Sequence, residues 1–207
     1  MILNNSIKPQ SIYCIGRNYK AHIEELGNQT PSEPVVFLKS NAALRGDCGD
    51  VAFPHEVFHH EAEVVVKIGS FARMGTTPGL SVASEVALGL DLTRRDKQSK
   101  LKQEGLPWTL AKSFKGSAIL GHFVDLPTNI QSLEFFFSLK GELKQKGNTA
   151  LMIHSFGQII DYLCSFQDLF PGDLIYTGTP EGVGPIQVGD PFVLNIPSLG
   201  YEFKGVL

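Results

Sequence analysis

Glu61-Ala62-Glu63-Val64-Val65-Val66-Lys67-Ile68 reads as a β-strand, because its run of β-branched residues suits a pleated, packed surface. Successive strand side chains point to opposite faces, so Glu61 and Glu63 share one face and their carboxylates look at one another. A third acid, Asp91, ends the core of another apolar run, Val86-Ala87-Leu88-Gly89-Leu90-Asp91-Leu92, which is short enough to be a buried strand or a short buried helix. An unpaired buried charge costs several kcal/mol or is lost through a pKa shift. A divalent cation resolves both problems, and an all-oxygen carboxylate site suits Mg²⁺, Mn²⁺ or Ca²⁺ rather than zinc. The plainer arrangement has Glu61 and Glu63 on the wet face of an edge strand and Asp91 capping a helix.

Working outward, Ser11 to Gly16 and Val35 to Lys39 read as short strands. A polar stretch from Arg17 to Leu26 has helical character and stops at Gly27. Thr93 followed by Asp96 resembles a capping box, which predicts a helix running to Gly105. Ser132 to Leu143 alternates around Gly141 as a hairpin, and the spacing of Met152, Phe156, Ile159, Ile160 and Leu163 predicts an amphipathic helix over about residues 149 to 166. No repeat or linker divides the chain, so 207 residues suit one domain. With 21 Gly and 12 Pro punctuating short elements, the expected class is α+β and β-rich.

Composition excludes several functions. A net charge of −3 with scattered Lys and Arg argues against nucleic acid and anionic membrane as partners. No apolar run approaches the ~18 residues of a membrane span, and the first residues lack a basic region followed by a long apolar one. Cys14, Cys48 and Cys164 are odd in number and form no C-x-x-C, which fits a reduced, cytoplasmic setting.

Other polar residues extend the candidate site. Arg95 and Gln98 lie three apart on one helical face just beyond Asp91, and a cation beside an amide suits an oxygen-rich anion. Lys112 is flanked by apolar residues, as a lysine aimed into a cleft would be, or one whose stem snorkels to the surface. His22 and Glu25 are three apart in the first helix, so the carboxylate can orient the imidazole and raise its pKa, as for a general base, or the two form an exposed pair. Leu174-Ile175-Tyr176-Thr177-Gly178-Thr179-Pro180-Glu181-Gly182 runs from a strand into a glycine-rich turn. No Lys follows its glycines as a nucleotide loop requires, but its amides and the Thr179 hydroxyl can grip a carboxylate.

Taken in order, Gly16-Arg17-Asn18-Tyr19 with His22, His60-Glu61-Ala62-Glu63, Leu90-Asp91-Leu92-Thr93-Arg94-Arg95-Asp96 with Gln98, Pro107-Trp108 with Lys112, and Thr177 to Gly184 resemble the fumarylacetoacetate hydrolase family. The motifs cover about residues 11 to 195. The resemblance is strongest to its small, single-domain branch of acylpyruvate hydrolases, oxaloacetate decarboxylases and oxaloacetate tautomerases. It implies a mixed β-sandwich roll with a few peripheral helices, a homodimer, and Mg²⁺ or Mn²⁺ on Glu61, Glu63 and Asp91. It also implies catalytic roles for His22 and Glu25 on a lid and for Lys112, with Arg17, Arg95, Gln98 and Thr179 lining the substrate. Two features depart from the pattern: Lys140-Gly141 replaces an Asn-Gly turn, and no Asn lies near Gly205. The expected substrate is a small 2-oxo acid whose enolate the cation stabilises, so that acylpyruvate hydrolysis, oxaloacetate decarboxylation and tautomerisation are alternative outcomes of one site. Hydration or isomerisation of longer 2-oxo-dienoates, and non-catalytic binding of metal and dicarboxylate, are the competing readings.

Overall fold

The computed structural model describes residues 9–27, 29–46 and 50–207, so Cys48 lies outside the described residues. In chain order the elements are β1 (Ile12–Gly16), α1 (Lys20–Glu25), β2 (Val35–Lys39), β3 (Leu44–Arg45), β4 (Phe58–His60), β5 (Ala62–Ile68), β6 (Ala83–Asp91), α2 (Arg95–Gln103), α3 (Thr109–Lys112), β7 (Ala118–Leu120) and β8 (Val124–Asp125). They continue with β9 (Glu134–Leu139), β10 (Glu142–Asn148), α4 (Phe156–Cys164), β11 (Leu174–Tyr176), β12 (Gly184–Ile186), β13 (Pro191–Ile196) and β14 (Tyr201–Val206). The class is α+β and β-rich, as the composition predicts.

A mixed sheet runs β2-β1-β11-β5-β6-β7-β3, with β8 also pairing β6, and a second sheet runs β10-β9-β13-β14. Between them Val64, Val66, Val86, Leu88 and Leu90 meet Phe135, Phe137, Phe192 and Leu194 in one apolar core. Burying each such side chain contributes about 1.5–3 kcal/mol. The opposite face of the large sheet packs Val65 and Ala87 with Ile12, Cys14, Ala118 and Tyr176. β5 is therefore buried on both faces, which is why it reads as a continuous apolar run.

This alternation places the acids. Val64 and Val66 face the inter-sheet core, so Glu63 and Val65 face the other way; on β6, Leu88 and Leu90 face the core while Ala87 and Asp91 face with Glu63. The β5–β6 register sets Ala62 opposite Leu90, and the Asp91 amide donates to the Glu61 carbonyl at 2.9 Å.

Several local expectations need correction. Thr93 does not cap α2: the N-cap position is Arg94, with no side-chain cap, while the Thr93 hydroxyl is fully buried and donates to the Asp91 carbonyl at 3.3 Å. A buried partner for that hydroxyl outcompetes a solvent-facing cap. The helix ends at Gln103, two residues short of Gly105. The helix of residues 149–166 also contracts. Residues 149–151 form a separate 3₁₀ turn, Met152 is extended, and α4 starts only after Ser155, which makes a reciprocal capping box with Gln158. The helix expected from Arg17 shortens too: Arg17 sits at φ +59, and α1 begins at Lys20. The hairpin forms and runs on to Asn148; Lys140 and Gly141, both at positive φ, make the tight turn that two-residue hairpins favour.

Candidate metal centre and active site

Glu61, Glu63 and Asp91 each offer a carboxylate oxygen, all within 4.8 Å of one another, and all three residues are buried. The wet-edge alternative is thereby excluded. Cations compensate two of the three. Lys112 Nζ lies 2.6 Å from Glu61 Oε2 and 2.7 Å from Asp91 Oδ2, and also donates to Thr93 Oγ1 at 2.7 Å. Arg95 pairs with Glu61 and donates to Gln98 Oε1 at 2.8 Å. Lys39 Nζ stands 2.7 Å from Asp91 Oδ1, although that oxygen receives no aligned hydrogen bond. Glu63 has no ion pair among the described residues; its Oε2 accepts from the Gly178 amide at 2.8 Å.

Electrostatics follow from this asymmetry. Burial would raise the Glu61 pKa, but Lys112 and Arg95 outweigh it and hold the carboxyl well below its ordinary value. Burial raises Glu63 well above its ordinary value, and the charges of Asp91 and Glu61 push it further. Burial works to lower Lys112, but Asp91 and Glu61 prevail and raise it, so it stays charged. The donor set fits a hard divalent cation: three clustered carboxylates, one with no counter-charge, and the Asp91 Oδ1 lone pairs imperfectly used.

The glycine-rich turn reaches Glu63 because residue 178 is glycine. Its φ is +104, and a Cβ there would stand 2.7 Å from Asn18 Cβ. Asn18 is itself a fastener, donating to the carbonyls of Thr177 at 2.8 Å and His154 at 3.1 Å. From that anchor α1 carries His22, whose Nδ1 is 3.2 Å from Glu25 Oε2, while Glu25 Oε1 accepts from the Gly182 amide at 3.0 Å. Glu25 does act to raise the His22 pKa, but burial is the larger effect and the net direction is downward. His22 is therefore neutral near pH 7, which corrects the raised pKa expected from the sequence.

Thr179 follows Gly178 and is buried; its Oγ1 accepts from Gln145 Nε2 at 2.8 Å. Gln145 Oε1 accepts from the Ala62 amide at 3.0 Å, between the two glutamates, and meets His60 Nδ1 at 3.0 Å. Burial lowers the His60 pKa to about 4, so the ring is neutral and donates from Nδ1. A β-bulge between Leu143 and Gln145 accompanies the inward turn of this glutamine from β10. Arg17, half-buried after β1, lies near enough to α2 for its charge to lower the Lys102 pKa.

The structure thus brings Glu61, Glu63, Asp91, Arg95, Gln98 and Lys112 together, with His22 of the His22–Glu25 pair near enough for the Glu61 charge to act on it and Thr179 in the turn that reaches Glu63. Sequence reasoning missed Lys39, Thr93, Asn18 and Gln145. Lys39 carries the same signal as Lys112, a lysine closing an apolar run, whereas Gln145 has none, since a bulge is not visible in the pattern. A cavity of about 990 Å³ follows β2 past Phe37, Leu38 and Trp108 and touches Lys39 and Lys112 but none of the three carboxylates. The charge cluster, rather than cavity size, marks the site.

Comparison with known proteins agrees with this geometry. Residues 11–204 match the family described as fumarylacetoacetate (FAA) hydrolase C-terminal. The chain is 39% identical over 201 residues to the mitochondrial oxaloacetate tautomerase of Bos taurus, covering 94% of this chain and 91% of that protein. It is 39% identical over 202 residues to the mitochondrial oxaloacetate decarboxylase of Dictyostelium discoideum, covering 94% and 92%. The crystal structure of fumarylpyruvate hydrolase from Pseudomonas aeruginosa in complex with Mn²⁺ and pyruvate superimposes with a TM-score of 0.88 at 30% identity, over 100% of this chain and 93% of that one. In sequence and in fold, the chain belongs to the fumarylacetoacetate hydrolase family.

Proposed function

We propose that the protein is a divalent-metal-dependent enzyme acting on small 2-oxo acids, with oxaloacetate as its principal substrate through tautomerisation or decarboxylation. The observation that carries the reading is the buried Glu61–Glu63–Asp91 cluster bridged by Lys112, with a neutral His22 beside it. The similarity to an oxaloacetate tautomerase and an oxaloacetate decarboxylase supports the choice of substrate. A hard divalent cation held by the three carboxylates, Mg²⁺ or Mn²⁺ (with Ca²⁺ also compatible), supplies Lewis acidity toward the carboxylate and 2-oxo oxygens of the substrate.

The chain's own residues do the rest. Arg95 and Gln98 present N–H donors to the substrate carboxylate, and Lys112 stabilises negative charge developing on the 2-oxo oxygen. With Nδ1–H donating to Glu25, His22 keeps Nε2 free to take a proton from C3 or return one to it. In tautomerisation a proton leaves C3 and the 2-oxo oxygen gains one. In decarboxylation the C3–C4 bond breaks, CO₂ departs, and C3 is then protonated.

A second reading is acylpyruvate hydrolysis, and the His22–Glu25 pair favours it because that pair can activate water for attack on a C4 carbonyl, giving pyruvate and a carboxylic acid. In the same proposal the working form is a homodimer in a reducing compartment, the latter supported by two buried free thiols, Cys14 and Cys164. Among the described residues no helix is long and apolar enough to cross a membrane. The test is a panel assay of the Mg²⁺- and Mn²⁺-loaded protein on both oxaloacetate tautomers, acetylpyruvate and fumarylpyruvate. Turnover of oxaloacetate that chelation abolishes supports the proposal; no metal-dependent turnover of any of the four overturns it.

A further inference from the structure

Among the described residues Lys102 is a cation without a counter-ion. Its side chain is half-buried on α2, and no carboxylate pairs with it among the described residues. Residues 95, 98 and 102 are spaced three and four apart, so Lys102 lies on the helical face that carries Arg95 to Glu61 and Gln98 to Arg95. Its Nζ stands 5.1 Å from the centroid of the Trp108 ring. Trp108 packs on Phe37 at 5.9 Å, and Phe37 in turn lies 5.0 Å from Lys112 Nζ. An aromatic wall thus links Lys102 to the lysine at the carboxylate cluster.

Burial, then the charges of Arg17, Arg95 and Lys112, lower the Lys102 pKa, with Glu61 acting weakly the other way. Holding an ammonium near three other cations is unfavourable unless an anion joins them. The plainer arrangement rests the stem on Trp108 and turns the head to open solvent, whereas here the ammonium itself stands over the Trp108 ring.

We propose that Lys102 and Trp108 form a subsite for the distal carboxylate of a 2-oxo dicarboxylate, so that the enzyme selects dianionic substrates over acylpyruvates with neutral tails. This inference rests on the proposed function and specifies its substrate class. The inner carboxylate and 2-oxo group lie toward Arg95, Gln98 and Lys112, and the outer carboxylate lies roughly one to two helical turns along α2. Lys102 is a binding residue here and takes no part in bond making or breaking.

The experiment compares wild type, Lys102→Met and Lys102→Arg, each with Mg²⁺. Calorimetry reads binding of two unreactive probes: N-oxalylglycine, a dianion with a distal carboxylate, and oxamate, a monoanion with a neutral end. Lys102→Met, which keeps the stem on Trp108, is expected to weaken N-oxalylglycine at least tenfold more than oxamate, and Lys102→Arg to restore most of the difference. Kinetics on oxaloacetate and acetylpyruvate should show the same split, carried by KM rather than kcat. Equal losses on the two probes, or no loss on the dianion, overturn the subsite while wild-type turnover leaves the proposed function standing. Wild type that binds neither probe and turns over no 2-oxo acid overturns both. Unchanged melting temperatures show that the variants are folded.

Discussion

Glu63→Gln should make the metal-free protein more stable and the metal-loaded protein less so. Glu63 is 2% exposed, has no cationic partner among the described residues, and faces the charges of Asp91 and Glu61. Gln preserves the shape and the acceptor for the Gly178 amide while removing the buried charge. Relieving uncompensated buried charge is worth on the order of 1–4 kcal/mol. A gain of about 2 kcal/mol raises the melting temperature of a domain this size by roughly 4–8 °C. The sign depends on pH. Because the folded-state pKa of Glu63 is raised, the folded protein holds its proton more tightly than the unfolded chain, and stability falls as pH climbs from the ordinary carboxylate range toward the raised value. In chelator, the melting-temperature gap between Glu63→Gln and wild type should therefore widen with rising pH. Adding Mg²⁺ or Mn²⁺ at about 100 times its Kd should stabilise wild type by about 2.7 kcal/mol and leave the variant nearly unmoved. Thermal melts with and without chelator measure both effects. A variant less stable than wild type in chelator, or one with an undiminished metal-induced shift, would refute the reasoning.

His22→Ala should separate the reactions: hydrolysis of acylpyruvates loses about 10²- to 10⁴-fold, whereas oxaloacetate decarboxylation, which needs no attacking water, loses much less. Since burial lowers the His22 pKa, hydrolysis by wild type should hold its rate down through the ordinary histidine range and fall only at more acidic pH, as a kcat/KM profile will show. Lys112→Met removes the cation shared by Glu61 and Asp91; loss of one partner from a buried ion pair should cost about 3–5 kcal/mol in urea unfolding and abolish turnover. Gln145→Leu strands the Ala62 amide between the two glutamates and should lower stability by about 1–3 kcal/mol while weakening substrate binding through the loosened Thr179. Equal stability in denaturant titration would show that Ala62 finds another partner.

Most of the site was legible because its members interrupt strong patterns. Glu61 and Glu63 break a valine strand, Asp91 ends an apolar run, and Lys112 sits among apolar neighbours, so each is a polar group where packing predicts none. Strand period then puts Glu61 and Glu63 on one face, while the β5–β6 pairing that brings Asp91 to them is a property of the folded chain. The boundaries of α2 and α4 were less legible, since the hydroxyl of Thr93 and the capping pair Ser155–Gln158 are resolved by tertiary competition: a buried lysine claims the first, and nothing buried claims the second. The direction of the His22 shift was missed for a related reason. A neighbouring carboxylate is visible at a spacing of three, whereas the burial that outweighs it is a property of the folded chain. Gln145 was invisible because its inward orientation accompanies a bulge in an otherwise exposed strand.

The most direct test of the account is anomalous scattering from crystals grown with Mn²⁺ and oxalate, combined with the activity of the same preparation on oxaloacetate before and after chelation. The account predicts one strong manganese peak among Glu61, Glu63 and Asp91, and turnover that chelation abolishes and Mn²⁺ restores. A manganese peak elsewhere, with Lys112 still bridging Glu61 and Asp91 and turnover indifferent to chelation, would contradict it.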